Sequence, residues 1–116
     1  MNKLRTVLVS GHFNILHPGH LRLLRSAKEY GEHLIVAVES DRLAGMAAHL
    51  PEKLRLEGVQ SHGLVDESFI VDEPITDFIS RLRPDIVIKG KEHESRHNPE
   101  LAVLEQYGGR LVFSSG

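Results

Sequence analysis

The sequence predicts an α/β fold built on an open, largely parallel sheet. Five short apolar runs rich in β-branched residues alternate with four segments of helical periodicity. The apolar runs are continuous rather than alternating, as in strands buried on both faces. A chain of 116 residues holds one domain with a single modest core.

Residues 6–10, TVLVS, form the first predicted strand. The stretch GHFNILHPGH, residues 11–20, follows as a turn, and Pro18 suits the first turn of a helix. That helix carries Leu21, Leu24 and Ala27 at helical spacing, with Leu23 beside them and Gly31 as its C-terminal cap. HLIVAVES, residues 33–40, is the second strand, and SDRLAGMAAHL reads as a loop with a short helical turn. Residues 51–62 open with proline and carry Leu54 and Val59, which predicts a helix ended by Gly63. ESFIV, 67–71, is the third strand, and 75–83 is a helix stopped by Pro84. DIVIKG, 85–90, is the fourth strand, followed by the polar segment KEHESRHN. A helix over 99–107, ended by Gly108 and Gly109, leads to the fifth strand, RLVFS.

This order requires right-handed crossovers and helices on both faces of the sheet. Ligands of such sheets bind beyond the carboxyl ends of the strands, where strand order reverses. Composition narrows the partners. A formal net charge of -2 provides no global basic field for nucleic acid. The absence of cysteine removes disulfides, thiolate metal sites and cysteine nucleophiles. No apolar run approaches membrane-spanning length, and the N-terminus lacks a signal-peptide pattern, so we expect a cytoplasmic protein with no membrane partner.

Three histidines, His12, His17 and His20, gather just behind the first strand. A glycine-containing turn before a helix presents unpaired backbone N–H groups and the positive end of the helix dipole, which suits a phosphate. Gly11 would admit a close ligand approach, and Gly19 would avoid a clash at the helix start. His17 and His20 stand three apart, so both imidazoles can face one side and stabilise charge during phosphoryl or nucleotidyl transfer. The same three histidines could instead supply nitrogens to zinc, although no carboxylate stands at a useful offset, and we assign no metal ligands. No G-x4-G-K-[ST] motif is present. His33, His49 and His62 have no supporting pattern, and His93 and His97 read as surface residues.

GHFNILHPGH resembles the G-x-F-D-x-x-H-x-G-H signature of the cytidylyltransferase-like nucleotidyltransferases, and the likeness extends through VAVESD, PDIVIKGKEHE and YGGRLVF. The resemblance implies a Rossmann-like, doubly wound, five-stranded parallel sheet in the order 3-2-1-4-5. It also implies transfer of CMP or AMP from CTP or ATP to a phosphorylated sugar, alditol or related alcohol, with pyrophosphate leaving on Mg2+. His17 and His20 would be catalytic, and Gly11, His12, Phe13, Asn14 and Gly19 would bind nucleotide. Arg55 would bind phosphate charge, and Gly90 and Lys91 would lie near the base. A homodimer is a further implication.

Three departures from the family pattern matter. Asn14 stands where the signature has Asp, keeping the shape but not the charge. The lysines that many members carry after the Ser-Asp are missing, leaving Arg42 or Lys53 as candidate phosphate contacts. Ser114 and Ser115 stand where a Ser/Thr motif would open a final helix. We expect that helix beyond the residues given, in a longer protein; heptose-type members are often fused to a sugar kinase. The competing expectation is a degenerate nucleotide-binding sensor that does not turn over.

Overall fold

The structure, a computed structural model, describes residues 4–14 and 18–114. Five parallel strands, β1 (Thr6–Gly11), β2 (His33–Glu39), β3 (Glu67–Val71), β4 (Ile86–Gly90) and β5 (Arg110–Ser114), form one sheet in the order β3-β2-β1-β4-β5. This is the strand order that the resemblance implies. Helices α1 (Pro18–Tyr30), α2 (Asp41–Ala44), α3 (Glu52–Gln60), α4 (Ile75–Leu82) and α5 (Glu100–Glu105) connect them, with short 3-10 turns at Gly45–Ala47 and Lys91–His93.

The side-chain period of two divides each central strand between two cores. Val7 and Val9 of β1, Val36 and Val38 of β2 and Ile86 and Ile88 of β4 pack with Leu24 and Ala27 of α1 and Val59 of α3. Leu8, Ile35 and Val87 face the other way, against Phe78 and Ile79 of α4 and Leu104 of α5. At the amino ends, Asp85 ties β4 to β1. Its carboxylate accepts from the Thr6 amide at 2.8 Å, and its own amide donates to the Thr6 hydroxyl at 3.1 Å.

The chain leaves β1 toward β2 and β3, then crosses back to β4 on the other side of β1. The connections behind β1 and β4 therefore diverge, and a cleft opens at their carboxyl ends.

Two local expectations need correction. Gly31 is not a left-handed cap, since the positive-φ glycines among the described residues are Gly45 and Gly108. Its reason is proximity: a Cβ there would lie 2.6 Å from the Arg5 carbonyl oxygen and 2.8 Å from Val7 Cγ2. In α3, Leu54 is 51% exposed while Arg55 is buried beside Val59. The helical period places position 55 inward, and acceptors converging there make a guanidinium tolerable.

Gly31→Ala should lower stability by about 1–3 kcal/mol, because backbone oxygen rather than a flexible side chain opposes the methyl group. Thermal melting followed by circular dichroism should show a drop of several degrees, and an unchanged midpoint would contradict this packing.

Candidate functional site

The cleft at the carboxyl ends of β1 and β4 encloses about 600 Å³, within the range of small-molecule sites. Ser10, Gly11 and His12 form one side, and Ile88, Lys89 and Gly90 the other. His20 and Leu23 enter from α1, and His49 and His93 close the ends.

His20 reaches this cleft because of helical phase. Leu23, Leu24 and Ala27 lie on the face of α1 that packs on the sheet, and His20 continues that face toward the helix start. The sheet has ended by then, so the residue meets the cleft instead of a strand. His17 lies outside the described residues. Gly19 is the second residue of α1, one turn ahead of Leu23.

The turn behind β1 is held in a costly shape. Phe13 adopts φ 53°, a left-handed conformation that side chains other than glycine rarely take. It is buried at 6% exposure, with its ring centroid 5.5 Å from that of His20. Strain of this kind costs roughly 1–3 kcal/mol and persists where the surroundings enforce it. Gly11 sits beneath that ring, since a Cβ there would come within 3.2 Å of Phe13 Cε2. The close approach at Gly11 therefore includes the protein's own aromatic ring.

Arg55 supplies the enforcement. Its side chain donates from Nε to the Leu50 carbonyl (2.9 Å) and from Nη1 to the carbonyls of His12 (2.8 Å) and Glu39 (2.7 Å). Nη2 donates to Asp41 Oδ1 at 2.7 Å. The residue is 1% exposed. The expected phosphate-binding role is thereby corrected: the guanidinium is turned inward and engaged with protein acceptors, so it braces the turn. Arg55 in turn holds the Asp41 carboxyl below the usual carboxylate range, by hydrogen bonding first, with further help from a hydrogen bond that the Glu52 backbone donates to that carboxyl.

Asn14 makes a second tie. Its amide nitrogen donates to the Ala47 carbonyl at 2.8 Å, and its oxygen accepts from the His49 amide at 2.6 Å. An aspartate could make only the second of these bonds. His12 itself lies 3.4 Å from the Glu39 carboxylate.

On the β4 side, Lys89 faces the cleft rather than Lys91, which is exposed in the 3-10 turn and does not line it. The Lys89 ammonium lies 2.8 Å from Glu100, which is buried, and donates to Asn98 at 2.7 Å. Asn98 also donates to the carbonyls of His93 and Arg96, fixing the 91–98 loop. Gly90 has room only for the Glu92 carboxylate lying against it.

Among the described residues, the remaining candidates do not line the cleft. Arg42 is paired with Asp72 at 2.9 Å beyond β3, and Lys53 is exposed on α3. Ser114 shares a 2.8 Å hydrogen bond with Ser26 of α1, and Ser115 lies outside the described residues. His49 and His93 were missed as lining residues because nothing in the sequence says which loops meet across the cleft. A second cavity, of about 510 Å³, opens at the edge of β3. Its Asp72, Glu73 and Arg81 already sit in ion pairs. Among the described residues, no group of three or more histidines and carboxylates could hold a metal, and no helix is long and apolar enough to cross a membrane.

A doubly wound sheet with a histidine-lined cleft at its switch point is the architecture of a ligand-binding α/β domain. The profile of the cytidylyltransferase-like family matches residues 8–104, and the chain belongs to that family of nucleotidyltransferases. It is 36% identical over 118 residues to D-beta-D-heptose 1-phosphate adenylyltransferase of Bordetella bronchiseptica, across 91% of this chain and 70% of that protein. It is 39% identical over 98 residues to the bifunctional protein HldE of Campylobacter curvus, across 79% of this chain and only 21% of that protein. A lipopolysaccharide core biosynthesis protein of Thermoplasma volcanium has the same fold, with a TM-score of 0.79 at 24% identity over 97% of this chain and 98% of that one.

Arg55→Ala should destabilise the protein by about 3 kcal/mol or more, since it strands three carbonyls and unpairs Asp41. Urea denaturation measures this. Asp41, with its folded-state pKa depressed, stabilises above its unfolded value and loses that contribution as pH falls through the folded one. The stability gap between wild type and Asp41→Asn should therefore narrow as the pH falls below the ordinary aspartate range.

Proposed function

We propose that this domain transfers AMP from ATP to the phosphate of a phosphorylated sugar, of the class of a heptose 1-phosphate. The observation that carries the reading is the cleft between β1 and β4, where His12, His20 and the backbone behind β1 surround a space of nucleotide size. The likeness to a heptose 1-phosphate adenylyltransferase supports ATP over CTP and a sugar phosphate as acceptor.

In this reaction an oxygen of the acceptor phosphate attacks the α-phosphorus of ATP, the bond to the bridging α–β oxygen breaks, and pyrophosphate leaves. The protein supplies alignment and hydrogen bonds rather than a nucleophile. His20, and His17 by its motif position, donate to phosphate oxygens whose charge grows in the transition state. Backbone from Gly11 to Phe13, with Gly19 at the start of α1, accommodates the phosphate tail. Gly90 and Lys89 stand on the nucleoside side of the cleft. Mg2+ arrives with the triphosphate as part of the substrate, and no residue described here is assigned to it.

One observation favours the second reading, a nucleotide sensor without turnover. The lysine in the cleft is already neutralised by Glu100, so no unpaired lysine among the described residues lines the site.

Titration calorimetry with ATP and CTP, paired with a pyrophosphate-release assay on heptose 1-phosphate, separates the readings. Turnover with ATP is expected. Tight ATP binding without pyrophosphate release on any sugar phosphate would leave the sensor. His20→Ala should lower kcat by about 10²–10³, as for loss of a transition-state donor, with the melting temperature nearly unchanged.

A further inference from the structure

No sequence pattern supports His49, yet the loop between α2 and α3 forms one wall of the cleft through it. Its backbone is pinned at three points. The Ala47 carbonyl and the His49 amide are both held by the Asn14 side chain, and the Leu50 carbonyl is held by Arg55. Arg55 also holds the His12 carbonyl, so two side chains join this loop to the turn behind β1.

The rings in the cleft differ in their partners. His12 lies 3.4 Å from Glu39, His93 lies 3.7 Å from Glu92, and His20 packs against Phe13. His49 forms no ion pair among the described residues, although it lines the cleft and its backbone is fixed. Neither Arg42, paired with Asp72, nor Lys53 lines the cleft. We propose that His49 is a phosphate-binding residue of this site and that Asn14 is the residue that positions it. The proposal rests on the nucleotidyl-transfer reading and names the group on this loop that meets the triphosphate. It also gives Asn14 a reason to be an amide, since one bond needs a donor and the other an acceptor.

The test is a double-mutant cycle on the full chain, read by calorimetry with ATP and with AMP. His49→Ala should weaken ATP by about tenfold, the scale of one hydrogen bond to a charged group, and leave AMP within about twofold. His49→Lys should recover most of that loss. Asn14→Ala should cost a similar factor in ATP affinity. In the His49→Ala background it should cost little more, because the two act as one unit. Additive losses would make Asn14 an independent contact and overturn its positioning role. Wild-type ATP affinity in folded His49→Ala would overturn the phosphate contact while leaving the nucleotide reading intact. Failure of the wild-type chain to bind ATP or CTP would instead remove the reading on which both rest.

Discussion

A guanidinium with almost no solvent access needs acceptors in its own plane, and few places in a small domain supply them. Position 55 does, because carbonyls from the carboxyl ends of β1 and β2 and from the loop before α3 converge there. Each of these carbonyls would be a buried polar atom needing a donor, and one planar side chain satisfies three of them. The relation is reciprocal: the carbonyls make the buried charge tolerable, and the charge fixes the loops. Asp41 completes the set and keeps the residue electrically balanced.

From that brace follows the shape of the cleft. The His12 carbonyl is held, so the chain must turn at Phe13, and it does so through a left-handed residue whose ring lands over Gly11. The ring then meets His20 on the first turn of α1. The geometry of the imidazole in the cleft thus depends on a side chain in α3 that lies outside the cleft lining. A strained turn, a buried brace and a helix phase together set the shape of this end of the cleft.

The fold was legible because strand burial leaves a direct trace in the sequence. Val7, Val9, Val36 and Ile88 sit in continuous apolar runs, and nothing but a two-faced parallel sheet accounts for several such runs between helical segments. The location of the cleft was legible for the same reason, since strand order fixes the switch point. What failed was contact across sequence distance. Arg55 looked like a cation available to a ligand, because its acceptors at residues 12, 39 and 50 have no local signature. Lys91 looked like the lysine near the base, whereas the end of β4 and the turn after it put Lys89 on the cleft instead. The change from Asp to Asn at position 14 looked like a loss of charge, whereas the structure uses both ends of the amide.

These placements bear on how such a site would handle an anion. The chain carries a formal charge of -2, and the lysine in the cleft is matched by a buried glutamate. Imidazoles line the cleft instead, and an imidazole offers an N–H donor whether or not it is protonated. A site of this kind recognises phosphate by direction more than by charge, which demands that the rings be well placed before the ligand arrives. The architecture meets that demand: His20 is set by helix phase and Phe13, and the backbone of His49 is set by Asn14. A triphosphate entering such a cleft would meet little net positive charge from the protein, so what the cleft supplies is geometry.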